Sequence, residues 1–310
     1  MKVLLFTHKN DIDGMGSAVL AKLVFSEVEY VLCETFDLKT EIAKYFDNNK
    51  IYDFDKIFVT DLWPDDETLT RITSDDKLKD KFFVFDHHKT SLDSSFCKAS
   101  FATVKTSDDK GLCCGTSLFY QYLTQKRLID SNNCAIKLFV ELTRRHDTWE
   151  WKNIYSDEKA RHLSILFDAV GQTEYIQLMA KKLSTHPIFA FNELERFLID
   201  NRIKRISEKC IEYSKKIHYT EIFGLKAGVL FIEYEYRNEI AEYFRENYFD
   251  MDFAIFIAMD RGTVSYRSVK DGVNVRKVAE HFGGKGHDKA ATNPISDEKM
   301  KSIIDTLTSI

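Results

Sequence analysis

The chain has 310 residues, 44% of them hydrophobic and 30% charged, and a formal net charge of −5. That balance is typical of a soluble globular protein; it excludes a uniformly basic nucleic-acid coat and leaves room only for a local basic groove. No apolar run approaches the roughly 20 residues of a membrane helix, and the length exceeds what one core usually fills, so two domains are expected.

In chain order, Lys2–Phe6 predicts a strand, Gly16–Phe25 a helix, Glu29–Cys33 a strand and Leu38–Phe46 a helix. Lys56–Thr60 follows as a strand, Asp66–Thr73 as a helix and Phe82–Phe85 as a strand. Short apolar runs alternating with helical spacing point to right-handed crossovers and a mostly parallel sheet flanked by helices. Gly115–Leu123 and Asn132–Arg145 continue with helical periodicity. Beyond Pro187, Phe191–Ile217 reads as a long charged helix.

A second, smaller α/β unit with a mixed sheet follows. Leu225–Ile232 predicts a strand, Glu239–Asn247 a helix, and Phe253–Met259 with Thr263–Ser268 a hairpin. Val275–Phe282 predicts a helix, ahead of the glycine-rich Gly283-Gly284-Lys285-Gly286-His287. The expected organisation is a first domain over 1–185, a linker helix over 186–218 and a second domain over 219–310. The six cysteines form no C-x-x-C pair and read as reduced thiols. The apolar run at the N-terminus is far too short for a signal peptide, so a cytoplasmic protein is expected.

Four clusters carry chemistry. Thr7-His8-Lys9-Asn10-Asp11-Ile12-Asp13-Gly14 follows the first strand, Asp61 ends the third, and Phe85-Asp86-His87-His88 ends the fourth. Arg144-Arg145-His146-Asp147 closes a helical run. Taken singly, an aspartate at such a place is a helix cap or turn residue. Together, the first three clusters would project from the carboxyl edge of one parallel sheet, where such sheets bind ligands. Carboxylates crowded together repel, and a divalent cation relieves the repulsion. Mixed oxygen and imidazole donors suit manganese, iron(II), cobalt or zinc better than a calcium cage. The ligands suffice for two ions, roughly 3.5–4 Å apart if a carboxylate bridges them.

These motifs resemble those of the DHH phosphoesterase superfamily. Asp86-His87-His88 is similar to its name-giving triplet, His8 to Gly14 to its first motif, and Gly283 to Ala291 to the glycine-rich signature of the DHH-associated domain. The resemblance implies that His8, Asp11 and Asp61 hold one manganese ion. It gives the second to Asp13, Asp61, His87 and Asp147, with Asp61 bridging. It implies that His88 faces the scissile phosphate and that Asp86 orients a histidine. Arg267 resembles the family's substrate-phosphate arginine, and Gly284, Gly286 and His287 its phosphate or nucleotide clamp. Two departures stand out: His8 and Asp11 are one residue closer than in pyrophosphatase-like members, and Lys285 replaces a glycine.

The implied activity is a manganese-dependent oligoribonuclease of the nanoRNase type, acting on short single-stranded RNA or a dinucleotide by a two-metal mechanism in an interdomain cleft. Hydrolysis of cyclic or linear dinucleotides, or of a nucleotide 3′-phosphate such as phosphoadenosine phosphate, would use the same residues. A pyrophosphatase or a single-strand DNA exonuclease ranks lower. Exposed strand edges are compatible with a homodimer. Tyr266 is the aromatic residue placed best for a base contact. Trp149 and Trp151 are expected to pack the helix end at Asp147.

Overall fold

The computed structural model describes residues 1–296 together with residues 298, 301 and 305. Two compact units divide the chain, Met1–Ile199 and Asp200–Ile310. The first is built on five parallel strands: β1 (Lys2–His8), β2 (Glu27–Cys33), β3 (Lys56–Thr60), β4 (Phe82–Asp86) and the short β5 (Ala102–Val104). Their order is β2-β1-β3-β4-β5. The crossovers run through α1 (Ile12–Val24), α2 (Leu38–Asp47) and α3 (Asp66–Thr73), the helices expected between these strands. A two-residue hairpin, β6 (Ser107–Asp108) with β7 (Gly111–Leu112), leads into α4 (Gly115–Gln125) and α5 (Cys134–Asp147).

The strand sequences account for this sheet. β1 and β4 are almost wholly apolar because both faces are covered, as parallel sheets require. On one face Leu4, Phe6, Ile57, Val59 and Val84 pack with Leu38, Ile42, Leu69 and Ile72 of α2 and α3. On the other, Phe58 and Phe85 meet Phe119 and Tyr122 of α4, with ring centroids 5.1–6.3 Å apart. In the order β2-β1-β3, successive crossovers leave β1 in opposite directions. The crevice between the carboxyl ends of β1 and β3 is therefore the switch point where such sheets bind ligands.

Helices α6 (Glu158–Val170) and α7 (Gln172–Thr185) occupy a stretch for which no element was predicted. They meet at Gly171, whose φ of +81° favours glycine. Helix α8 (Glu193–Ser214) matches the long charged helix expected over 191–217. Asn192 starts it with a capping box: the Glu195 amide donates to Asn192 Oδ1 and the Asn192 amide to Glu195 Oε2, at 2.9 and 2.8 Å.

The second unit holds a six-stranded sheet of β8 (His218–Ile222), β9 (Leu225–Phe231), β10 (Phe253–Ala258), β11 (Thr263–Ser268), β12 (Lys285–His287) and β13 (Ala290–Pro294). Its order is β12-β13-β11-β10-β9-β8, antiparallel except for the β9–β10 pair. Helices α9 (Arg237–Asn247) and α10 (Val275–His281) supply the helices expected there. Strand β8, mostly exposed and polar, was not predicted because an edge strand needs no apolar face. Among the described residues no helix is long and apolar enough to cross a membrane.

Candidate active site

The first three clusters meet at the switch point. At the end of β1, the Asp11 carboxylate caps α1 by accepting the Gly14 amide at 3.0 Å. One residue into α1, Asp13 is fully buried, and its two oxygens accept the Gly115 and Thr116 amides of α4 at 2.6 and 2.7 Å. Asp61 leaves β3 in the left-handed region, at φ +57°, a conformation costing on the order of 1 kcal/mol for a non-glycine residue. Its amide is anchored on the Phe85 carbonyl at 2.9 Å. Gly115 lies against it so closely that a Cβ there would sit 2.7 Å from the Asp61 amide nitrogen. The N-terminus of α4 thus fixes two of the acidic side chains at once.

Asp61 faces two donor groups with its two oxygens. Oδ2 lies 3.6 Å from His8 Nδ1, and Asp11 Oδ2 is 2.5 Å from the same nitrogen. Oδ1 lies 3.3 Å from His87 Nε2, which also has Asp147 Oδ2 at 3.5 Å and Asp13 Oδ2 at 3.8 Å. Among the described residues, His87 Nε2 and Asp147 Oδ2 are both buried without a hydrogen-bond partner. Orphaned buried polar atoms of this kind are costly unless something outside the chain satisfies them. Donors about 2.1 Å from a common cation lie about 3.0–3.5 Å from one another, close to the spacing found here. The residues therefore fit a divalent metal, in the three overlapping sets His8–Asp11–Asp61, Asp13–His87–Asp147 and Asp61–His87–His88.

The electrostatics agree. Burial, with Asp13 and Asp11 nearby, holds the Asp61 carboxyl well above the usual range. Burial and Asp13 push Asp147 up to about 8 against the pull of His87. His8 rises to about 11: burial opposes its charge, but Asp11 and Glu34 outweigh burial. His87 is raised too, its own burial being outweighed by Asp147 and Asp13. Without a cation the site holds protons to relieve its own repulsion.

Asp86 is fully buried at the end of β4 and accepts from His88 Nδ1 at 2.8 Å and from the Ser91 hydroxyl. It therefore orients His88, whose side chain is 51% exposed and leaves Nε2 for a ligand. Asp147 is the last residue of α5. That helix end is tied down by Arg144, which donates to Glu150 Oε2, Glu141 Oε1 and the Leu112 carbonyl at 2.5, 2.8 and 2.9 Å. Trp151 is buried and stacks on His146, as expected for a helix-end clamp, whereas Trp149 is half exposed at φ +61°.

Glu34 escaped the sequence reading. It follows β2, and the register His8–Cys33 sets it beside His8, whose Nε2 is 3.2 Å from Glu34 Oε2. The Asn10 amide donates to its other oxygen. Parallel pairing of the first two predicted strands was the available signal.

The remaining candidates lie in the second unit. Arg267, on β11, is half-buried and donates to Asn238 Oδ1 at 3.2 Å. Tyr266 corrects the expectation of a base contact: it is 3% exposed, and its hydroxyl donates to Asn293 at 2.7 Å. Strand alternation turns it inward and its neighbour Arg267 outward. Gly286 has φ +151°, and a Cβ there would collide with Ala291 Cα, so close β12–β13 pairing demands it. Gly284 is half-buried and His287 exposed; the Lys285 side chain lies outside the described residues.

No family model matches the sequence. Oligoribonuclease NrnB of Bacillus subtilis (strain 168) is 30% identical over 302 residues, spanning 97% of this chain and 74% of that protein. Among solved structures, the DHH domain of a member of a ribosomal-protein family has a TM-score of 0.62 at 15% identity, over 99% of this chain and 86% of that one. A pGpG-specific phosphodiesterase, PggH, from Vibrio cholerae has a TM-score of 0.56 at 13% identity, over 99% and 97%. Exonuclease RecJ bound to manganese has a TM-score of 0.54 at 13% identity, over 99% and 89%.

Proposed function

Since the chain belongs to the DHH phosphoesterase superfamily and is a hydrolytic, nucleic-acid-processing enzyme, we propose that it cleaves short RNA oligonucleotides to mononucleotides with two manganese ions, in the cytoplasm. The observation that carries this reading is the pair of orphaned buried atoms, His87 Nε2 and Asp147 Oδ2, facing the carboxylates of Asp61 and Asp13. Likeness to NrnB over nearly the whole chain supports the substrate class. The catalytic part is assigned to 1–185 and the substrate-binding part to 219–310, joined by a linker over 186–218.

His8, Asp11 and Asp61 would hold one ion; Asp13, Asp61, His87 and Asp147 would hold the other. When bound, such a pair neutralises phosphate charge and lowers the pKa of a water. The protein's own groups do the rest. Asp13 is fixed by two α4 amides and Asp61 by the Phe85 carbonyl, so the acidic oxygens need no rearrangement to bind. Asp86 keeps its charge, its own burial being outweighed by His88, and its hydrogen bond raises His88 in turn. A protonated His88 would then donate from Nε2 to a phosphoryl oxygen as charge develops, or to the leaving oxygen. Arg267 would grip a substrate phosphate, with Gly284, Gly286 and His287 as further contacts.

The test is product analysis with manganese on a ribodinucleotide, a 24-residue RNA, cyclic di-AMP, phosphoadenosine phosphate and pyrophosphate. Mononucleotides should be released fastest from the ribodinucleotide, and His87→Ala should abolish the release. Faster turnover of cyclic di-AMP or phosphoadenosine phosphate would select a dinucleotide phosphodiesterase or a 3′-phosphatase instead.

A further inference from the structure

Three tryptophans occur in the chain. Trp63 packs on the core of the first unit and Trp151 is buried, whereas Trp149 is 48% exposed. An indole left half in water forgoes the stabilisation that burial gives so large a ring. Its backbone is costly as well: φ is +61°, in the left-handed region that glycine, and after it asparagine, takes with least strain. Asp61, at the centre of the acidic site, shares that conformation. The strained turn is held from both sides. The Trp149 amide donates to the His146 carbonyl at 3.1 Å, and the Trp149 carbonyl accepts the Lys152 and Asn153 amides at 3.3 and 3.2 Å. The next residue, Glu150, is buried and accepts from Arg144 Nη1 and the Leu112 amide at 2.5 and 3.2 Å. A single π-helical turn, Trp151–Tyr155, follows, and such turns recur at functional sites. A costly conformation that its surroundings over-determine points to a use for the side chain.

Trp149 stands two residues beyond Asp147, no more than two Cα–Cα steps of about 3.8 Å away. Asp147 Oδ2 in turn faces His87 Nε2 at 3.5 Å. The indole also ends a row of rings: its centroid lies 6.4 Å from that of Trp151, and Trp151 lies 12° from parallel to His146 at 6.2 Å. His146 is within electrostatic reach of Asp11. An aromatic ring half open beside a phosphoester-cleaving centre suits a planar partner, and the planar group of a nucleotide is its base. We infer that Trp149 is a stacking platform for a nucleobase next to the cleaved phosphate. This rests on the short-oligonucleotide reading of the enzyme. Stacking reads the face of a base and not its edge, so the platform separates nucleotides from phosphoesters without a base and accepts every base. The clamped backbone and the neighbouring Trp151 hold the ring before the ligand arrives, which lowers the ordering cost of binding.

The experiment uses the full chain with manganese, a ribodinucleotide and its two abasic analogues, each lacking one base. Removing one of the two bases should lower kcat/KM roughly 5- to 100-fold, the effect of one base–aromatic stack. Trp149→Asn deletes the ring but suits the left-handed backbone, so the variant keeps the fold. It should lower kcat/KM on the dinucleotide by about the same factor, and removing ring and base together should cost little more than removing either. Trp149→Phe should keep part of the rate. Losses that multiply, or full turnover of the dinucleotide by Trp149→Asn, overturn the inference while leaving dinucleotide cleavage intact. Tryptophan fluorescence with 5′-AMP, 3′-AMP and ribose 5-phosphate stands independently of turnover. One of the two AMPs should quench it, ribose 5-phosphate should not, and Trp149→Phe should remove the quench. If no dinucleotide is cleaved, the short-RNA reading fails, and a quench that depends on Trp149 still supports the platform. Fluorescence that neither AMP changes, or a quench that survives in Trp149→Phe, overturns it.

Discussion

At the scale of single residues, the site is a set of charges that would repel one another if a cation did not join them. Asp147 has a carboxyl raised to about 8 by burial and by Asp13. For an acid raised in the folded state, stability present at low pH is lost as pH climbs from the unfolded value near 4 through the folded one. The metal-free protein should therefore lose stability between about pH 4 and 8, and Asp147→Asn should remove part of that loss. Melting curves in chelator at pH 8 should place Asp147→Asn above the unaltered protein by roughly 3 °C, the shift about 1 kcal/mol makes in a chain of this kind; a lower melting point would contradict the electrostatic reading. Glu34 provides a second prediction. A carboxylate on the far nitrogen of a metal-binding histidine fixes its tautomer, and losing one weakens metal affinity roughly 10–100-fold. Calorimetric titration of Glu34→Gln with manganese should show one weakened site and one unchanged. If His88 faces the phosphate as proposed, with Asp86 orienting it through Nδ1, His88→Ala should lower kcat on the order of 100-fold with little change in manganese affinity.

At the scale of elements, the decisive contact is α4 against the end of β3. Gly115→Ala would drive a methyl into the Asp61 backbone and move both Asp61 and the Asp13 carboxylate. It should cost roughly 2 kcal/mol and most of the activity; chemical denaturation and turnover together check this. The sequence made the sheet of the first unit legible because its strands are buried on both faces and read as unbroken apolar runs. Asp11, Asp61 and Asp86-His87-His88 were legible for the same reason: each stands where such a run stops. Helices α6 and α7 were not predicted, although Asp157 caps the first by accepting the Lys159 amide and Gly171 divides the two. Tyr266 was misjudged because adjacency to Arg267 in sequence means opposite faces in a strand. Glu34 needed knowledge of which strands pair.

At the scale of the whole molecule, a net charge of −5 coexists with a second unit in which the half-buried Arg237 and Arg267 have no carboxylate partner among the described residues. Overall charge therefore says little about how an anionic substrate is held; the local imbalance does. The acidic cluster of the first unit suits cation capture, one of the needs of phosphoester hydrolysis. The direct test is to strip the protein with chelator, add manganese back in steps, and follow both binding and mononucleotide release from a ribodinucleotide. Two ions per chain, activity rising with their binding, and loss of both in Asp61→Asn are expected. Full turnover in chelator, or in Asp61→Asn with manganese bound, would contradict a metal-dependent site built on Asp61.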